Sequence, residues 1–434
     1  MPYAEPVFSI VMSTLRLAAS RWPVLLAWYL AGWLARFVII ELAATVGTTN
    51  ALLAFLIMPL AILARLASFI AMFLALRGGM PAFTALAATG GDSVDRTDGG
   101  AGASRTGVSD LFLASILPFF AFYAAWQFMQ EDTLRYAASA LEKINWFSNV
   151  DTSGGVLSLQ LTWGSGAAIV AAFIGRFLLK RYGPRLPRWT VIVSVYLEAV
   201  WVYLTLFLIN AYLSRFNNWV DSRAAVHWAA DARAAVDGIF APLGQLWDGV
   251  AWVIGEAGGL ILLPVAWLAL AGIVYGRALD SAPIGLRIPS NRYVERARAG
   301  YARVPSVIAR RVGDVGSDFI GRWKPLANAL TLIWRAGVVP MGIFVLAYTV
   351  LQAASGWISF GAIRLIGAHD LVMWWGNVDN ALGFVIDVAL EPIRICLIAA
   401  AYDFTLRRLA ERRVAAELVA EVRPTDGVGA IAEA

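Results

Sequence analysis

Residues 51–76 read ALLAFLIMPLAILARLASFIAMFLAL, and Arg65 is the only ionisable residue among them. A helix rises about 1.5 Å per residue and a bilayer's hydrocarbon core is about 30 Å thick, so about 20 mainly apolar residues cross it. This stretch therefore reads as a transmembrane helix with one guanidinium near its centre. Working outward, seven further segments meet or approach that length: 22–46, 111–129, 163–179, 190–212, 251–274, 325–350 and 381–403. The shortest, 163–179, reaches full thickness if it starts near Val156. The expected fold class is all-α, a polytopic bundle of about eight transmembrane helices forming one integral membrane domain over 1–403, with amphipathic interfacial helices in the long loops.

Composition agrees. The chain of 434 residues is 59% hydrophobic and 15% charged, with mean hydropathy +0.67, where a soluble protein carries about a quarter charged residues. The single cysteine, Cys396, lies in an apolar run and excludes a disulfide framework or a cysteine-rich metal site. The first residues lack a basic start before an apolar core, so the first span is expected to act as the insertion signal rather than a cleaved leader. Only Lys143, Lys180 and Lys324 among the 35 basic residues are lysine, a bias expected of a high-GC bacterial genome.

Basic residues in the loops set the orientation. One alternating set of connections holds 24 of them, including Arg16, Arg21, Arg77, ten over 277–324 and five after Asp403; the other set holds six. By the positive-inside rule both termini are expected in the cytoplasm, in the inner membrane of a bacterium. Arg21-Trp22, Arg188-Trp189 and Arg322-Trp323 open spans at the inner interface, while Trp126, Trp146, Trp163, Trp219, Trp247, Trp357, Trp374 and Trp375 gather at the outer one, as an aromatic belt does.

Residues 77–108 are expected to form a flexible cytoplasmic loop, since 90–107 is rich in Gly, Ser, Thr and Asp. Asp92, Asp95 and Asp98 are spaced by three, which does not match the alternate-residue pattern of a calcium loop, so no metal is expected. The loop 277–324 is basic and amphipathic: Val294, Ala297, Tyr301, Val304 and Ile308 make an apolar stripe flanked by Arg292, Arg296, Arg303, Arg310 and Arg311. That pattern suits docking on anionic inner-leaflet lipids rather than nucleic acid. The tail 404–434 is expected to be helical and then disordered. Three long outward connections carry partly amphipathic sequence, at 133–147, 224–240 and 357–366, suited to capping the bundle or to meeting protein partners.

The informative residues are the charges inside the spans, each costing about 2.5 to 3.5 kcal/mol at mid-bilayer. They are Arg36, Arg65, Arg176, Arg335 and Arg394, with Glu41, Glu198, Glu256, Asp387 and Glu391. Counted by helical rise, Arg176 can snorkel to the inner interface, and Glu41 and Glu256 fall near the outer surface. Arg36, Arg65, Glu198, Arg335, Glu391 and Arg394 share the middle third, with Asp387 slightly above; these seven are the candidate substrate-binding or ion-relay residues. Asp387, Glu391 and Arg394 form one polar stripe, and Pro392 within it frees a backbone carbonyl. Arg335, on the preceding span at matching depth, is the expected partner of Glu391. Four cations against three acids leave a surplus positive charge that could receive an anion.

Catalytic chemistry has little to stand on. The two histidines, His227 and His369, fall in outward loops, and no zinc-protease, phosphate-loop or dinucleotide signature is present. No cofactor, no catalytic residue and no enzymatic activity are expected. Two readings of the buried charges remain: interhelical ion pairs that fix packing in a noncatalytic scaffold or subunit of an envelope complex, or a path for an anionic small molecule or lipid head group in a transporter or flippase-like protein.

Overall fold

The computed structural model describes residues 4–85, 115–116, 118–120, 123, 128–144, 163–182, 187, 189–223, 228, 249, 252, 255, 258–279 and 337–422. Every regular element among these is helical: α1 (Ala4–Gly47), α2 (Ala51–Leu76), α3 (Phe128–Lys143), α4 (Trp163–Tyr182), α5 (Thr190–Asp221), α6 (Leu263–Leu279), α7 (Val338–Ile366) and α8 (Gly376–Val422). The chain is all-α, and its long apolar helices are those of a membrane protein.

Among the described residues four helical stretches are long and apolar enough to cross a bilayer: Phe8–Gly47, Ala51–Gly79, Thr190–Asn210 and Val339–Ile366; Gly164–Leu179 and Leu260–Gly276 are shorter. This is fewer than the eight expected. Two of the missing four are accounted for by those shorter helices. Most of 111–129 lies outside the described residues, and 381–403 lies within α8, where Asp387, Glu391 and Arg394 interrupt the apolar run. Of the expected span 325–350, residues 325–336 lie outside the described residues. α7 starts at Val338, after Gly337 at φ 111°, a left-handed angle that a side chain would resist, and it runs on through 357–366 to Gly367 at φ 89°. The segment 357–366, expected to be an interfacial helix, is thus the C-terminal part of α7.

α2 is the hub. Over its apolar window 56% of residues are buried, against 22% for α1 and 11% for α7. Asn50 starts it by accepting the Leu53 N–H at 3.2 Å, satisfying one of the free donors at the helix start. Ser68 donates to the Trp28 carbonyl at 2.8 Å, and a Cβ on Gly32 would collide with the Ser68 side chain, so α1 and α2 approach closely because a glycine faces a serine. Near its C-terminus, where carbonyls lack helical partners, the Phe73 carbonyl accepts the Tyr275 hydroxyl of α6 at 3.0 Å. Tyr196 of α5 donates to the Leu56 carbonyl at 3.0 Å, one turn before Pro59. Beside the C-terminal end of α2, Asp403 of α8 accepts the Phe83 N–H at 3.0 Å, and Tyr402 stacks on Tyr275 with centroids 5.3 Å apart. α1 also packs on α8 and on α3.

Candidate functional site

The site is built where α1, α2, α3 and α8 meet. Arg36 of α1 donates from Nε to Asp132 Oδ1 at 2.8 Å, and its Nη2 closes an ion pair on the same oxygen. Both are buried, Arg36 at 6% and Asp132 at 1% exposure. The other oxygen of Asp132 accepts the hydroxyl of Tyr123. That hydroxyl in turn accepts Arg65 Nη1 at 3.3 Å. Two guanidiniums from two helices therefore converge on one carboxylate, one directly and one through a phenol.

Arg65 sits in an aromatic cradle. Its guanidinium carbon lies 5.1 Å from the Phe128 ring centroid, 5.6 Å from Tyr123 and 5.8 Å from Phe69, distances at which ring quadrupoles attract a cation. Among the described residues no carboxylate lies within ion-pair distance of it. The other buried arginines differ: Arg36 pairs with Asp132, Arg176 with Glu198 and Arg394 with Glu391.

α8 supplies the second half. Glu391 is 7% exposed; one of its oxygens pairs with Arg394 a turn away, and Oε2 is buried with no hydrogen-bond partner among the described residues. Arg394 lies 5.7 Å from the Tyr348 ring of α7. Tyr29 of α1 is within Coulombic reach of Glu391, Asp387, Arg65 and Arg36, and Asp387 is within reach of Glu391, Arg394 and Arg65. The described cluster thus holds Arg36, Arg65 and Arg394 against Asp132, Asp387 and Glu391. It balances when all six are charged, and it carries one positive charge when either α8 acid is protonated.

Of the seven residues expected from the sequence, Arg36, Arg65, Asp387, Glu391 and Arg394 come together. Glu198 does not join them: it forms its own pair with Arg176 between α4 and α5, beside Trp201, whose ring lies 5.9 Å from Arg176. Arg176 is therefore held by an acid rather than snorkelling to the interface. Arg335 lies outside the described residues, as do Glu256 and the loop 280–324, and Glu391 is paired within its own helix.

The sequence reading missed Asp132 and Tyr123. Asp132 fell in a stretch counted as an outer loop, because Gln130, Glu131 and Asp132 follow one another. A signal was present nonetheless: the buried face of α3 is Met129, Asp132, Tyr136 and Ala140, so a carboxylate stands in an apolar stripe. The rest of α3 holds it to α1. Ser139 donates to Glu41 at 2.8 Å, Lys143 pairs with the same carboxylate, and Tyr136 fills the space beside Gly47, where a Cβ would strike its hydroxyl. Burial pushes the Tyr136 phenol up to about 12.

Among the described residues no group of three metal-binding side chains is assembled. An apolar gap lined by Ile10, Leu268, Phe344 and Phe404 contains no charged residue. Comparison with models of known protein families, with curated proteins and with solved structures finds no match.

Proposed function

We propose that the protein is a multi-pass protein of a bacterial inner membrane, with both termini cytoplasmic, that binds and moves an anionic small molecule or lipid head group. The observation that carries this reading is the asymmetry at Arg65. A guanidinium on the central helix α2 is cradled by three aromatic rings and, among the described residues, has no acid within ion-pair distance, while Arg36, Arg176 and Arg394 each have one. A half-buried cation with acids near it but none in contact is left incompletely satisfied, and a ligand or water completes it. Glu391 and Asp387 supply the coupling: protonating either leaves the cluster with one positive charge, and binding an anion restores balance. The protein's part is binding and passage, with no chemical transformation of the cargo. The basic loop 277–324 would hold the inner face on anionic lipids.

Native mass spectrometry of protein extracted gently from its own membrane, wild type against the Arg65→Gln, Arg394→Gln double variant, tests the proposal. A phosphorylated lipid or small anion bound to wild type and absent from a folded double variant supports it and identifies the cargo.

A second reading, the scaffold, draws on the Arg36–Asp132 and Arg176–Glu198 pairs, which join separate helices as packing devices do. A stoichiometric protein partner with no bound anion, unchanged in the double variant, would favour it.

A further inference from the structure

Asp132 is unlike the other acids of the cluster. Asp387 and Glu391 belong to the long α8, whereas Asp132 comes from the 16-residue α3, a helix polar enough to carry Glu131, Arg135, Glu142 and Lys143 on its other faces. Every donor at this point is aimed at its carboxylate: Arg36 Nε and Nη2 at one oxygen, and the Tyr123 hydroxyl, oriented by Arg65, at the other. The result is a seat for one two-oxygen anion, with a forked guanidinium on one side and a phenol on the other. The remaining ties of α3 to α1 lie toward its other end. The Lys143–Glu41 pair there is about one-third exposed, 34% and 36%, and Tyr136 rests against Gly47. The start of α3 is packed as well, with Phe128 against Arg65 and the Tyr123 ring and Met129 3% exposed, so it is the Asp132 side chain that leaves the seat while the helix stays in place.

Resting on the reading of this cluster as an anion site, we propose that Asp132 is a tethered competitor for the ligand. Its carboxylate fills the oxyanion seat between Arg36 and Tyr123 when no cargo is bound, and a free carboxylate or phosphate group displaces it. Displacement exchanges one anion for another, so the buried charge is unchanged. The seat selects for a group that offers two oxygens in one plane, as a carboxylate or phosphate does and a halide does not. Specificity follows from the fork of Arg36 and the phenol together.

The test is thermal melting of purified full-length protein in detergent at fixed ionic strength, for wild type, Asp132→Ala, Asp132→Asn and Asp132→Ala combined with Arg36→Gln. The variants are extracted in acetate so that the seat is filled throughout. The expected result is that acetate or inorganic phosphate, relative to chloride, raises the Tm of Asp132→Ala by about 3 °C, moves wild type less and only at higher concentration because the tethered carboxylate must first be displaced, and does nothing once Arg36 is replaced. A larger shift from short-chain phosphatidylglycerol than from either free anion supports the seat and assigns it to a lipid head group; the reverse order assigns it to a small solute.

The proposal is overturned if no oxyanion moves either Asp132 variant, if chloride or acetamide serves as well as acetate, or if wild type responds equally. Failure of both variants to fold even in acetate overturns it too, because a free anion would then not replace the tethered one. The outcomes separate from those of the function itself. Rescue by acetate without any bound ligand in native spectra keeps the seat and removes the transport reading; a ligand lost with Arg65 but no rescue keeps the transport reading and removes the displacement.

Discussion

Arg36 and Asp132 stand 96 residues apart in the chain and meet as a buried ion pair, one from an apolar span and the other from an amphipathic helix. Removing one member of such a pair leaves the other charged and unsolvated, which costs about 3 to 5 kcal/mol. Arg65 has an aromatic cradle and a phenol in place of an acid, and its loss forfeits cation–π attraction of about 1 kcal/mol. Arg36→Gln is therefore expected to lower the melting temperature in detergent well below that of Arg65→Gln, under identical buffer. Equal losses would mean that Arg65 is as firmly paired as Arg36.

The Arg176–Glu198 pair lies between α4 and α5 and takes no part in the cluster at Arg65. Arg176→Met should destabilise the fold, and Arg176→Met with Glu198→Leu should recover most of that loss, because well-packed apolar side chains replace a buried pair at little cost. Chemical denaturation of the three proteins gives the coupling. A double variant less stable than either single one would contradict a simple pair.

Close packing makes a third prediction. Gly47→Ala drives a methyl group into the Tyr136 hydroxyl and should cost about 1 to 3 kcal/mol. Tyr136→Phe in the same background should return part of it, since the colliding oxygen is gone. By contrast Lys143→Met, at a pair that is about one-third exposed, should cost no more than about 1 kcal/mol.

Orientation can be read with a single thiol. Cys396 is buried and is the only cysteine, so Cys396→Ala gives a clean background. Leu371→Cys, at a position 78% exposed beyond the outer end of α7, should react with a membrane-impermeant maleimide in intact cells. Arg408→Cys, in the exposed basic stretch after Asp403, should react only after permeabilisation. The opposite pattern would reverse the assignment of inside and outside.

The membrane class and the positions of α2 and α5 were legible because 51–76 and 190–212 are long, apolar and nearly uncharged. Residues 325–336 of the expected span 325–350 lie outside the described residues, and hydropathy does not register that a glycine at φ 111° stands just before the start of α7 at Val338. Five of the seven candidate residues, named from one argument, the cost of charge at mid-bilayer, lie near one another in the structure, and the spacing of Asp387, Glu391 and Arg394 placed them on one face. Asp132 escaped the same argument. It belongs to a polar helix, where its place in the stripe of Met129, Tyr136 and Ala140 is the one signal that it is buried, and that stripe does not name its partner Arg36. Likewise, nothing in the spacing of Arg176 and Glu198 announces that they pair, since the contact depends on how two helices fold back on each other.

The central claim is that Arg65 holds an anion, and its most direct test is native mass spectrometry of Arg65→Gln beside Arg176→Met, two single replacements of buried arginines. The account predicts a bound anion or phosphorylated lipid on wild type and Arg176→Met and its loss from folded Arg65→Gln. Retention of the same ligand by Arg65→Gln, or no ligand on any of the three proteins, would contradict it.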